Sequence, residues 1–182
     1  MAVRNKVFIP NEIYFITFTI FGWQPIFLDD KYCGLVYKWF DYMKGNYQNK
    51  IHSYVIMPNH IHCLIFISNK SPHISRLIQN AKRFLAYQIV SILEKEKNQE
   101  LLNYFQQYAK TKYNAKHKIF TDRYDSLIIQ SQKLFLEKLN YIHNNPCAKH
   151  WNLADSPEDY KYSSASNYIK DEGLYPVDII GF

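Results

Sequence analysis

A chain of 182 residues, 47% hydrophobic and 17% aromatic, fits one domain, 1–182, with a substantial core. Its 22 Lys and Arg against 16 Asp and Glu give a formal charge of +6, which favours a polyanionic partner without requiring one. Cys33, Cys63 and Cys147 have no paired spacing, which argues against a disulfide framework or a zinc module and for a reducing cytoplasm. No apolar stretch approaches a membrane span, and Met1-Ala2-Val3-Arg4-Asn5-Lys6 lacks the apolar run of a secretion signal.

In chain order, 14–21 is rich in aromatic and β-branched residues and is predicted as a first strand. Asp29-Asp30 can cap a helix whose apolar face is Leu35, Val36, Trp39, Phe40 and Met43. Segments 51–57 and 60–67 read as two strands joined by a Pro58-Asn59 turn. Ser71-Pro72 reads as a helix start, followed by an apolar stripe of Ile74, Leu77, Ile78, Ala81, Leu85, Ile89 and Leu93. The stretch 94–118 is predicted as a mobile segment, a solvated helix end followed by a basic run with one tyrosine. A short edge strand is expected at 119–124, and a final helix at 131–144 with Leu134, Phe135, Leu139 and Ile142 inward. This order, β-α-β-β-α-β plus a terminal helix, predicts an α+β fold, a ferredoxin-like sandwich with an added C-terminal helix.

Two short segments carry chemistry. His60 and His62 lie two apart on a strand, so both imidazoles share a face while Ile61 turns into a core. That is half of a metal site, although such a pair is also read as structural, satisfied by backbone carbonyls. Tyr141 and Asn145 are four apart, hence on one helix face, next to Pro146.

Met57-Pro58-Asn59-His60-Ile61-His62 and Tyr141-Ile142-His143-Asn144-Asn145-Pro146 resemble signature segments of the REP-associated tyrosine transposases, a branch of the single-tyrosine HUH transposases. The resemblance extends to Tyr14-Phe15-Ile16-Thr17-Phe18-Thr19, Gln24-Pro25-Ile26-Phe27, Ser156-Pro157-Glu158-Asp159-Tyr160 and Tyr162-Ser163-Ser164, with no match over 94–118. It implies His60 and His62 as ligands of a divalent ion, Asn145 as third ligand and Tyr141 as nucleophile and catalytic residue, which makes the last helix the catalytic one. It further implies DNA transposition by cleavage and rejoining of single-stranded DNA beside imperfect, REP-like hairpins, through a 5′-phosphotyrosine bond. The implied protein is cytoplasmic, without a membrane partner, and a monomer or homodimer.

The residue types suit that chemistry. A phosphodiester repels nucleophiles, so a divalent ion is needed to withdraw charge from it. Two imidazoles with an oxygen donor suit Mn²⁺ better than Mg²⁺ by ligand preference, whereas abundance favours Mg²⁺. Arg76, Lys82 and Arg83 on the second long helix, with Lys112, Lys116 and Lys118 in the basic run, are candidate phosphate contacts as well as ordinary solvated cations. His143 lies close enough to Tyr141 to orient a phosphate or relay a proton. Trp23, Tyr113, Trp151, Tyr160 and Tyr162 are core residues or stackers for unpaired bases, and the tail 151–182 packs on the last helix or reaches DNA. An idle hairpin-binding protein derived from a transposase is the alternative function. An RRM-like RNA binder would need aromatics where this sheet carries histidines.

Overall fold

The structure is a computed structural model, and it describes residues 8–109 and 116–181. Alternation decides the sheet, because side chains two apart on a strand share a face. In β1 (Glu12–Thr19), Tyr14, Ile16 and Phe18 pack into one buried cluster, while Ile13 and Phe15 pack against another on the opposite face. β2 (Lys50–Met57) and β3 (His60–Ile67) are joined by Pro58 and Asn59. A short β4 (Asp125–Ile128) completes an antiparallel sheet of order β2-β3-β1-β4. With β1 and β3 central, this is the ferredoxin-like arrangement the element order predicts.

Helices α1 (Asp30–Tyr47) and α2 (Ile74–Lys95) cover the face carrying Ile61, Cys63 and Ile65. α1 starts where Asp29 Oδ1 accepts from the Lys31 amide at 3.1 Å, and it buries Leu35, Val36, Trp39, Phe40 and Met43. The whole expected stripe of α2, from Ile74 to Leu93, is buried. α4 (Gln132–Asn144) lies across the other face, capped by Ser131 Oγ, which accepts from the Leu134 amide at 3.2 Å. Its Phe135, Leu139 and Ile142 meet Val55, Met57 and Leu64. Each such buried side chain contributes about 1.5–3 kcal/mol, which fixes α4 over the histidine strand.

Besides the first strand, which runs Glu12–Thr19 instead of 14–21, three elements differ from the sequence expectation. The edge strand lies at Asp125–Ile128 instead of 119–124, where Ile20 and Phe120 form only an isolated bridge. α2 begins at Ile74, after Ser71-Pro72, because His73 caps it by accepting from the Ser75 amide. Part of 94–118 is an ordered helix, α3 (Gln99–Gln107), capped by Asn98 and anchored by Leu102 and Phe105.

The C-terminal segment pairs with the free edge of β2. The Ile56 amide donates to Tyr162 O at 2.9 Å, the Ser164 amide to Tyr54 O at 3.0 Å and the Asp178 amide to Ile51 O at 2.7 Å. An edge covered this way offers no unpaired backbone there to another chain. A short helix, α5 (Ala165–Ile169), lies within this segment. Among the described residues, no helix is long and apolar enough to cross a membrane.

Candidate metal and nucleophile site

Sheet register places the histidines. His62 stands opposite Thr17 of β1 and Val55 of β2, and His60 opposite Thr19 and Met57. Both imidazoles are buried, with ring centroids 4.6 Å apart. Burial pushes the His60 pKa down to about 4, helped by nearby His150. His62 is held well below its ordinary value, first by burial and then by His60 and Lys138. Both rings are therefore neutral at pH 7, the form that offers a lone pair to a metal.

Their Nδ1 atoms are already engaged. Asn59 Oδ1 accepts from His60 Nδ1 at 2.7 Å, while Asn59 Nδ2 donates to Trp23 O at 3.2 Å, which fixes the amide's orientation. Thr17 Oγ1 lies 2.6 Å from His62 Nδ1. With the proton on Nδ1, each ring keeps its Nε2 lone pair available, which is how a second hydrogen bond orients a metal-ligating histidine.

α4 brings the other residues across. The Tyr141 ring lies 5.1 Å from that of His62 and 5.9 Å from that of Phe15, and the side chain is 49% exposed, open to a substrate. Helical backbone continues through Asn145 (φ −56°, ψ −44°) before the tight turn Asn145–Cys147, so Tyr141 and Asn145 stay on one face. His60, His62, Tyr141 and Asn145 all line one cleft of about 580 Å³. Two buried polar atoms of this set have no hydrogen-bond partner, His62 Nε2 and Asn145 Oδ1. Buried polar atoms are normally paired, so these two leave a lone pair each available to a bound group. Two imidazole nitrogens and an amide oxygen fit a divalent ion of the Mn²⁺ type. Among the described residues, no group of three His, Cys, Asp or Glu side chains could hold a metal, so the amide oxygen matters to the donor set.

Other candidates lie elsewhere. His143 turns away from the cleft: its Nε2 lies 3.1 Å from Ser53 Oγ and 2.9 Å from Ser164 Oγ, in a buried cluster that joins α4, β2 and the C-terminal segment. Burial pushes its pKa down to about 4, and the expected phosphate or proton-relay role finds no support in this placement away from the cleft. Arg76, Lys82 and Arg83 belong to α2, on the opposite face of the sheet from the cleft. Lys82 is half-buried and tied to the chain, since its ammonium donates to Thr121 O at 2.9 Å and Arg123 O at 2.8 Å, and burial lowers its pKa to about 8. Lys116 pairs with Glu94 at 3.7 Å and Lys118 with Asp122 at 3.1 Å. Lys112 and Tyr113 lie outside the described residues.

Sequence reasoning missed Thr17 and Asn59, whose roles depend on cross-strand register and a turn, and Asp125, which enters the cleft from β4. It also missed Lys138, whose ammonium lies 5.8 Å from the Tyr141 ring centroid. Its position three residues before Tyr141 was a signal available in the sequence.

No family model matches the chain, and no curated protein sequence matches it. Among solved structures, it superposes on a REP-associated tyrosine transposase bound to a REP hairpin, with TM-score 0.68 and 18% identity, over 100% of this chain and 93% of that one. The two proteins share one fold. A second solved structure, of a Deinococcus radiodurans protein provisionally named a transposase, gives TM-score 0.47 at 15% identity, over 78% of this chain and 96% of that one.

Proposed function

We propose that the protein is a metal-dependent single-stranded DNA endonuclease and strand transferase that works at hairpin-flanked sites in the cytoplasm. Most support comes from His62 Nε2 and Asn145 Oδ1, buried without partners in the cleft where Tyr141 is exposed. The fold shared with a hairpin-bound transposase is consistent with a hairpin-bearing DNA partner.

His60, His62 and Asn145 would hold the divalent ion, Mn²⁺ or Mg²⁺. Bound there, it supplies Lewis-acid withdrawal of charge from a phosphoryl oxygen. Tyr141 Oη attacks the phosphorus, the bond to the 3′ oxygen breaks, and a 5′-phosphotyrosine forms. The phenolic proton passes to water, and the departing 3′ oxygen takes one from water. Lys138 places a positive charge beside the Tyr141 ring. Because the covalent bond retains the phosphodiester's energy, attack by another 3′-hydroxyl joins a new end without ATP and releases Tyr141.

His60→Ala and His62→Ala should each abolish cleavage of a single-stranded hairpin oligonucleotide while leaving folding and DNA affinity largely intact, since affinity comes from phosphate charge and stacking. Cleavage that persists in EDTA would rule out the metal-dependent mechanism.

A further inference from the structure

We propose that Trp23 and Trp151 form a stacking site for an unpaired nucleobase next to the scissile phosphate, an assignment that rests on the nuclease reading of the same cleft. The chain has three tryptophans. Trp39 is buried in the core, but Trp23 is 64% exposed, and both Trp23 and Trp151 line the cleft with Tyr141. Their ring centroids lie 6.3 Å and 5.7 Å from that of His60. His60 is 4.6 Å from His62, and His62 is 5.1 Å from Tyr141. The indoles therefore sit on the His60 side of the histidine pair, and the nucleophile on the His62 side.

The backbone under Trp23 is strained to hold it there. Trp23 has φ 58°, a left-handed conformation that a bulky residue rarely adopts, and Gly22 before it has φ 63°. A Cβ at Gly22 would lie 1.9 Å from Tyr104 Oη, so any side chain there would also have to displace Tyr104 of α3. The turn is tied by the Trp23 amide donating to Ile20 O and by Asn59 Nδ2 donating to Trp23 O, each at 3.2 Å. Asn59 is the residue that also holds His60, so indole and imidazole keep a fixed relation. Strain that exposes a large apolar ring beside a reactive cleft is explained by a flat ligand. A nucleobase fits, because a strand whose phosphate lies at the histidines carries bases on either side, and unpaired bases have free faces to stack.

The test uses the Tyr141→Phe protein in EDTA, where neither cleavage nor metal contributes. The probes are an oligodeoxyadenylate and an abasic strand of equal length. The adenylate strand should quench indole fluorescence and bind more tightly than the abasic strand. Trp23→Ala should weaken adenylate binding roughly tenfold or more with little effect on the abasic strand, and Trp23→Phe should retain most of the affinity. Equal binding of both strands, no binding of either, or an unchanged affinity in Trp23→Ala would overturn the stacking site. A wild type that never cleaves DNA would refute the nuclease reading while leaving this binding result standing, so the two failures are distinguishable.

Discussion

Thr17→Val isolates the hydrogen bond that orients His62. Valine keeps the β-branched shape on β1 and removes only the hydroxyl that lies 2.6 Å from His62 Nδ1. His62 is 6% exposed and its Nε2 already has no partner, so the substitution leaves both ring nitrogens buried and unsatisfied. A newly unsatisfied buried polar group costs about 1–3 kcal/mol. At about 2–4 °C per kcal/mol for a chain of this size, the metal-free protein should melt several degrees lower. Losing the partner that sets the tautomer should also weaken Mn²⁺ binding about 10–100-fold. Thermal unfolding followed by circular dichroism and calorimetric Mn²⁺ titration measure the two effects, and Thr17→Ser should restore both. An unchanged Mn²⁺ affinity in Thr17→Val would refute the orienting role.

Asn145→Ala removes an amide oxygen that satisfies nothing in the folded chain. It should raise the Mn²⁺ concentration needed for cleavage while leaving metal-free stability unchanged or slightly higher; identical metal titration curves would exclude Asn145 as a donor. Stability should also depend on pH through His143. Its folded pKa of about 4 lies below an unfolded value of about 6.5, so the unfolded chain binds more protons between these pH values. Stability from this group is full above about pH 6.5 and lost as pH falls toward 4, amounting to about 3 kcal/mol. Burial shifts His52 and His60 in the same direction, which adds to the loss. Urea denaturation at stepped pH reads the effect, and a flat profile across that window would contradict it.

The legible parts of the fold were those where one physical signal dominated. The aromatic and β-branched run of β1 was one such signal, and the 3.6-residue stripes of α1, α2 and α4 were others, each helix burying one face. β4 was displaced in the reading because its sequence, Asp125-Ser126-Leu127-Ile128, begins with two poor strand formers, while the apolar Ile119 and Phe120 are buried outside the regular sheet. α3 was hidden because its apolar residues, Leu101, Leu102, Tyr104 and Phe105, lie between the charged runs 94–100 and 110–118. At the site, spacing within one strand and one helix decides that His60 and His62 share a face and that Tyr141 and Asn145 share another, whereas the roles expected of them rest on the family resemblance. The surroundings of Lys82 and His143 were not legible for the opposite reason. Whether a cation or imidazole meets solvent or a buried carbonyl or hydroxyl depends on distant segments, here 121–123 for Lys82 and Ser53 and Ser164 for His143.

The most direct measurement is covalent capture. Incubating the protein with a 5′-phosphodiester-containing single-stranded hairpin and Mn²⁺ should give a denaturation-resistant adduct on the 5′ end of the cleaved strand, mapped by mass spectrometry to Tyr141. Tyr141→Phe keeps the ring contacts to His62 and Phe15 and should bind the same DNA without forming an adduct. An adduct in the Phe variant would place the nucleophile on another of the 16 tyrosines, and none in the wild type on hairpins flanking its own gene would make it a DNA-binding protein without this chemistry.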